Sequence, residues 1–150
     1  MAAVVLTHLI IQSDRLPPRG VIPIAPSALK GFDRLSEQAK ANASTDILSI
    51  PQMETFSKWY VGDLEVALTD PLLSGALVPF TASWPRTLIL VGSGDLYIDG
   101  SHELAKRLSA LNRAVELVEY DGRPHGWWTL PQAFPEECED AVRRIAQFVL

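Results

Sequence analysis

The sequence predicts an α/β domain with a mostly parallel sheet of few strands and helices on its flanks. The first observation is the continuous apolar run TLILV at 87–91, which ends at a glycine and is typical of a parallel strand buried on both faces. The second is that a helix-like segment and another strand-like run follow it, so that strand and helix alternate. The third is size, because 150 residues, 47% of them apolar, are enough for one domain with a hydrophobic core. We therefore expect a single domain over 1–150.

The start of the chain predicts one helix and one short strand. Residues 2–13 are apolar nearly all round, which predicts a helix that is buried on most sides. The stretch SDRLPPRG then ends that helix, and Val21–Ala25 has the composition of a short buried strand. Pro23 has no N–H to donate to a neighbouring strand, so it favours a place at the edge of the sheet.

The pattern is looser between 26 and 85, where we expect a functional insertion that resembles a cap. Helices are expected near 33–41 and 51–60. The stretch TDPLLSGALVPFTASWPR is typical of an irregular connection.

A helix is expected over SHELAKRLSAL, directly after the buried strand. Leu104, Leu108 and Leu111 would share its buried face, because they are spaced three and four residues apart. Ser101 or Asp99 would cap its first turn, since both side chains can accept a hydrogen bond from the backbone there.

The last segments predict a second parallel strand and a closing helix. VELVEY at 115–120 alternates only in part between apolar and polar residues, which favours a strand nearer an edge. The closing helix should begin at Pro135, because proline suits the first helical position. Its core face is expected to consist of four apolar residues: Val142, Ile145, Ala146 and Val149.

Composition excludes several classes of function. The net charge is −5, so the chain has no basic surface for nucleic acid or for an anionic membrane. The single cysteine, Cys138, allows no internal disulfide, and no metal site or cofactor is implied by the spacing of the three histidines. The apolar start has no basic flank and is too short to cross a bilayer. We expect neither a signal peptide nor a transmembrane helix, which is compatible with a cytoplasmic location.

Two polar side chains follow the ends of the two predicted parallel strands. Asp95 comes after a Gly-Ser-Gly turn, and His125 comes after an Asp-Gly-Arg-Pro turn. Reactive groups gather at the carboxyl ends of parallel strands, so we expect the carboxylate and the imidazole to meet. A buried carboxylate can then orient the imidazole, which can take a proton from a hydroxyl nucleophile. The order acid then histidine is that of α/β-hydrolases.

Each candidate also has a purely structural alternative. His125 could be an ordinary loop histidine, and Asp95 could be a turn residue. Ser93 is expected to shape the turn before the acid. Trp127 and Trp128 could line an acyl pocket or, with equal weight, pack against the closing helix.

The stretch PRTLILVGSGDLYIDGSHELAKRLSALNRAVELVEYDGRPHGWW resembles the C-terminal part of the hormone-sensitive-lipase-like esterases, the α/β-hydrolase fold-3 group. DPLLS at 70–74 is similar to the segment before that part, and the resemblance extends from about residue 69 to the end. It implies a partial α/β-hydrolase fold, with Asp95 as the acid and His125 as the base of a Ser-His-Asp triad. It also implies small or medium acyl esters as substrates, with Trp127 as a candidate contact.

The chain departs from that family in its nucleophile. It contains no G-x-S-x-G and no H-G-G-G motif, while AAVVLTHLI is similar to the helix that follows the family's serine. We therefore expect an N-terminally truncated domain that begins just after its own serine. Ser27 precedes the acid and the base in the chain, but APSALK lacks the glycines of a nucleophile elbow, so this serine is not favoured.

Two classes of function follow from these patterns. The first is a carboxylic-ester hydrolase lineage that uses acyl transfer through a serine absent from this chain. The alternative is a non-catalytic α/β binding or assembly module derived from a hydrolase. In that case the exposed sheet edge at Val21–Ala25 could pair with another chain.

Overall fold

The computed structural model describes residues 2–13, 15–27, 35–63, 65, 67 and 69–150. Three parallel strands form one sheet in the order β1-β2-β3: β1 Gly20–Val21, β2 Arg86–Gly92 and β3 Val115–Tyr120. Five α-helices are described around it: α1 Ala2–Gln12, α2 Glu37–Asn42, α3 Ile50–Val61, α4 Ile98–Ala110 and α5 Pro135–Val149. Short 3₁₀ turns lie at Gly75–Leu77 and Trp127–Thr129. This arrangement confirms the predicted α/β class with a parallel sheet of few strands.

The central strand confirms the sequence prediction most closely. Every residue of β2 after Arg86 is buried, because helices or loops cover both faces of the sheet. Its last residue, Gly92, lies opposite Tyr120, the last residue of β3. The two strands therefore end at the same level. β3 lies at an edge of the described sheet, as its partial alternation predicted.

The first strand is shorter than predicted, although its pairing continues beyond Val21. The Leu90 amide donates to the Pro23 carbonyl (3.1 Å), and the Ala25 amide donates to the Leu90 carbonyl (2.7 Å). Pro23 thus contributes an acceptor to the ladder and needs no donor. In the described part of the chain this strand pairs with β2 alone and forms an edge, as proline predicted.

The prediction for helix α1 is wrong in one respect, since the helix is not buried on most sides. Val4 and Thr7 are its buried residues, and Leu6 and Leu9 are 56% and 46% exposed. Val4 packs in a core cluster with the sheet and α4, so one face of the helix has an apolar partner.

Helix α4 begins earlier than predicted. Asp99 and Ser101 lie inside it and cap nothing, because the N-cap position belongs to Tyr97, whose side chain makes no capping hydrogen bond. Leu104 and Leu108 are fully buried as expected, whereas Leu111 follows the last turn and is 44% exposed.

Helix α5 begins at Pro135 as predicted, and Ile145 lies on its core face as predicted, but the other three residues expected on that face do not. Val142 and Val149 are each 67% exposed, and Ala146 is also exposed. The face that packs on the sheet consists of Cys138, Ala141, Ile145 and Phe148. The helix carries two apolar stripes, and the one that includes the aromatic ring is the one that faces the core.

The segment before β2 contains both helices that were expected there. The predicted start at 33–34 lies outside the described residues, and α2 begins at Glu37 with Ser36 as its N-cap. Helix α3 begins with a capping box between Ser49 and Gln52. Buried residues of both helices pack against the start of α4 and the turn before it in one cluster, which comprises Ala39, Met53, Leu96 and Ile98. None of the helices described here is long and apolar enough to cross a membrane.

Candidate active site

The acid lies in a tight turn at the end of β2. The Asp95 amide donates to the Gly92 carbonyl (3.1 Å), and the side chain of Asp95 is fully buried. Its Oδ1 accepts a hydrogen bond from the Tyr97 amide (2.7 Å), and its Oδ2 lies 3.0 Å from Nδ1 of His125. Burial raises the pKa of Asp95, and the hydrogen bonds from His125 and Tyr97 oppose that shift.

The histidine lies in the loop that follows β3, and the structure brings it to the acid as the sequence predicted. The His125 side chain is 23% exposed, whereas its carboxylate partner is fully buried. Since Nδ1 faces the carboxylate, Nε2 is the nitrogen that can exchange a proton with a reacting group. Tyr97 and Trp128 contact the imidazole edge-on, with ring centroids 5.2 and 5.5 Å away. These contacts restrict the rotation of the imidazole about its side-chain bonds.

The turns that carry the acid and the histidine pack backbone against backbone. The Gly94 amide donates to the Arg123 carbonyl (3.1 Å), and Oγ of Ser93 accepts from the Gly122 amide (2.7 Å). Ser93 therefore shapes the acid's turn, as predicted. A Cβ atom at Gly92 would overlap the Arg123 carbonyl oxygen, so the two turns approach closely because glycine stands there.

Gly92→Ala is therefore expected to lower the free energy of unfolding by about 3 kcal/mol or more, since backbone atoms must move to admit the methyl group. Urea denaturation measures this change. The matched control is Gly62→Ala, where φ is +61° but nothing lies within 4 Å of the new methyl group. Backbone strain should cost this control roughly 1–3 kcal/mol, because φ +61° with ψ −135° is a conformation that only glycine adopts readily. A loss at Gly92 smaller than about 1 kcal/mol would show that the two turns can accommodate the methyl group.

Two residues of the segment before β2 reach this site, and sequence reasoning missed them. Nδ2 of Asn42 donates to the carbonyls of Ser93 and Asp95, at 2.9 Å in each case. The Asp46 carboxylate accepts from the amides of Leu96 (2.7 Å) and His125 (2.9 Å). No sequence motif indicates either residue. Both lie about 50 positions or more from the backbone they bind, in a segment whose hydrophobic pattern is weak.

The other candidate residues lie among packing or surface contacts. Trp127 is fully buried and packs at a tilt against Tyr120, with ring centroids 4.3 Å apart, in the cluster that includes α5. This position corresponds to the packing alternative. Ser27 hydrogen-bonds with Tyr97 and opposes the rise that burial causes in the pKa of that phenol. Nε2 of His102 lies 2.9 Å from a carboxylate oxygen of Glu119 at the surface.

Acidic, cysteine and histidine side chains do not gather into a metal site in the part of the chain that the structure describes. His8 lies half-buried on α1, and Cys138 is half-buried with its thiol toward the backbone carbonyls of Trp127 and Trp128. These positions are those of packing residues.

A family model described as the alpha/beta hydrolase fold matches residues 1–129. The chain belongs to the alpha/beta hydrolase fold-3 family. The match confirms the resemblance seen in the sequence and extends it to the first helix. A comparison with curated protein sequences gives no match.

Solved structures agree with this family and with its fold. A serine-to-alanine mutant of an alpha/beta hydrolase enzyme from the metagenome of Lake Arreo, Spain, is 27% identical and has a TM-score of 0.77, over 87% of this chain and 40% of its own. An esterase from the bacterial hormone-sensitive lipase family is 21% identical with a TM-score of 0.84, over 97% of this chain and 47% of its own. An esterase/lipase from an uncultured bacterium is 20% identical with a TM-score of 0.82, also over 97% and 47%.

The chain spans less than half of the length of these three structures. It is an alpha/beta hydrolase fold-3 sequence of hydrolase lineage, with the part of that fold that carries Asp95 and His125.

Proposed function

We propose that this chain supplies the acid and the base of a Ser-His-Asp carboxylic-ester hydrolase. The observation that carries the proposal is the 3.0 Å contact between Nδ1 of His125 and Oδ2 of the fully buried Asp95. The two side chains come from the ends of neighbouring parallel strands, where α/β folds assemble their reactive groups. A buried carboxylate that fixes one imidazole nitrogen leaves the other in the geometry of a general base.

The proposed reaction is acyl transfer in two steps. His125 accepts the proton of a serine hydroxyl as that oxygen attacks the ester carbonyl, and Asp95 stabilises the imidazolium that forms. The imidazolium then gives the proton to the departing alcohol. Water repeats the sequence on the acyl-enzyme and releases the acid. The route uses no metal ion or cofactor.

The serine of this reaction would come from polypeptide outside these 150 residues, because the sequence has no G-x-S-x-G motif. One structural neighbour is an esterase that was soaked with p-nitrophenyl butyrate, a short acyl ester. We infer the same class of small or medium acyl ester for this chain. The direct test is a hybrid in which the first part of that esterase precedes this chain, assayed for hydrolysis of p-nitrophenyl butyrate.

The isolated chain should react with a fluorophosphonate probe at less than about 1% of the stoichiometry of an intact esterase, because it has no activated serine. Mass spectrometry of the intact protein measures the labelled fraction. Ser27→Ala is the informative variant. Stoichiometric labelling that disappears in this variant would make Ser27 the nucleophile and would contradict the proposal that the serine lies elsewhere.

A second candidate function is assembly with another chain through the edge at β1. Within the described residues this strand is an edge, and the neighbouring helix α1 exposes Leu6 and Leu9. An unpaired edge beside exposed leucines favours association. Size-exclusion chromatography with light scattering distinguishes the candidates, since a stable monomer across concentrations argues against assembly.

A further inference from the structure

We propose that Asp46 is a positioning residue that ties the acid's turn to the histidine's turn. The inference rests on the proposed function of Asp95 and His125 and adds a residue from a different part of the chain. It stands on three hydrogen bonds of one carboxylate.

The two oxygens of Asp46 bind different turns. Oδ2 accepts from the Leu96 amide at 2.7 Å, directly after the acid in the chain. Oδ1 accepts from the amide of His125 itself at 2.9 Å. Oδ1 also lies 3.4 Å from the Leu48 amide, which holds the carboxylate within its own turn. One side chain therefore fixes the backbone that carries the acid relative to the backbone that carries the base.

This link differs in place from the direct contacts between the turns. Those contacts join Ser93 and Gly94 to the residues at 120–123, before the reacting side chains in both turns. Asp46 instead binds the backbone of His125 and of Leu96, the residue directly after Asp95. Hydrogen bonds from neutral amides to a carboxylate are among the stronger ones in proteins. A hydrogen-bonded pair in a reaction needs its partners held within about 0.5 Å, which such a link can provide.

Hydrogen bonds of helix α2 hold Asp46 in place. The Asp46 amide donates to the Asn42 carbonyl at 2.8 Å, and the side chain of Asn42 binds the acid's turn. At the other end of the helix, Asp99 on α4 accepts from the amide (2.7 Å) and the hydroxyl (2.6 Å) of Ser36. The segment is thus attached at both ends to the elements that hold the site.

The test is Asp46→Asn in the full 150-residue chain. Asparagine has the same shape, but an amide group replaces one acceptor and faces a backbone N–H, so at least one of the two links is lost. We expect amide exchange at Leu96 or His125 to accelerate roughly tenfold or more, relative to the Leu90 amide in the sheet. We also expect the downfield NMR signal of the proton between His125 and Asp95 to be lost through faster exchange.

Asp70→Asn is the matched control, because its carboxylate also accepts a hydrogen bond from a backbone amide, that of Leu72 at 2.8 Å, and this bond lies outside the segment that supports the site. It should leave the downfield signal intact and accelerate exchange at Leu72 instead. If Asp46→Asn retains the downfield signal, and the Leu96 and His125 amides exchange as slowly as in the unaltered chain, the positioning role is wrong. If the unaltered chain lacks the downfield signal at acidic pH, the proposed pair itself fails, and the two failures are thereby distinguished.

Discussion

His125→Ala is expected to lower the hydrolysis of p-nitrophenyl butyrate about 10⁶-fold in the hybrid that supplies a serine. The imidazole is the group that removes the serine proton, and alanine offers nothing in its place. Nδ1 of His125 is already committed to a buried carboxylate at 3.0 Å, so the loss should appear mainly in kcat. Steady-state kinetics of the hybrid with and without the substitution measure it.

His102→Ala is the control for this prediction. Its side chain is 41% exposed and pairs with Glu119 at the surface, so the same substitution should leave the rate within about twofold. If the His125 variant kept more than roughly 1% of the rate, another group would have to be the base. If both variants lost the rate equally, the cause would be a general loss of folding.

The sequence predicted the part of the fold that local pattern determines. A continuous apolar run is typical of a strand that a parallel sheet buries on both faces, and residues 87–92 are buried in that way. The turn residues after β2 and β3 then had to meet, because parallel neighbours end at the same edge. The pairing of Asp95 with His125 was predictable for this reason.

Predictions of helix faces failed where the sequence offered two apolar stripes. In α5, Val142 and Val149 form one stripe and Ala141 and Phe148 belong to the other, and periodicity alone gives both the same weight. The choice between them depends on the shape of the sheet surface, where the ring of Phe148 packs over Gly20. That information lies in the other elements and not in the helix.

The contribution of Asp46 could not be predicted for a related reason. Its hydrogen bonds reach Leu96 and His125, 50 and 79 positions away along the chain. A carboxylate that binds two backbone amides leaves no side-chain partner that a motif could show. Such long-range links become visible only when the path of the segment before β2 is known.

The buried acid connects the stability of the domain to its proposed chemistry. Burial raises the pKa of Asp95 above its ordinary value of 3.8. Between 3.8 and the higher value in the folded chain, the folded state binds more protons than the unfolded state. The stability that Asp95 contributes is therefore present below this pH range and is lost as the pH rises through it. At a pH above this range, the ionised carboxylate lowers the stability of the fold, a cost that function would justify.

Asp95→Asn should accordingly raise the melting temperature at pH 8, because asparagine stays neutral. The difference in melting temperature between this variant and the unaltered chain should become smaller as the pH falls towards 4. In the hybrid the same change should lower kcat roughly 10⁴-fold, since an amide cannot stabilise the imidazolium. Thermal unfolding followed by circular dichroism across this pH range measures the first effect, and steady-state kinetics measure the second.

Asp140→Asn should show the opposite sign. A hydrogen bond from Arg144 lowers the pKa of Asp140, so its contribution to stability is present above 3.8 and is lost as the pH falls. This variant should melt below the unaltered chain at pH 8, and the difference should shrink in acid. If both asparagine variants were destabilised alike at pH 8, burial of the Asp95 charge would not be a net cost, because the hydrogen bonds of its carboxylate with His125 and Tyr97 would outweigh it.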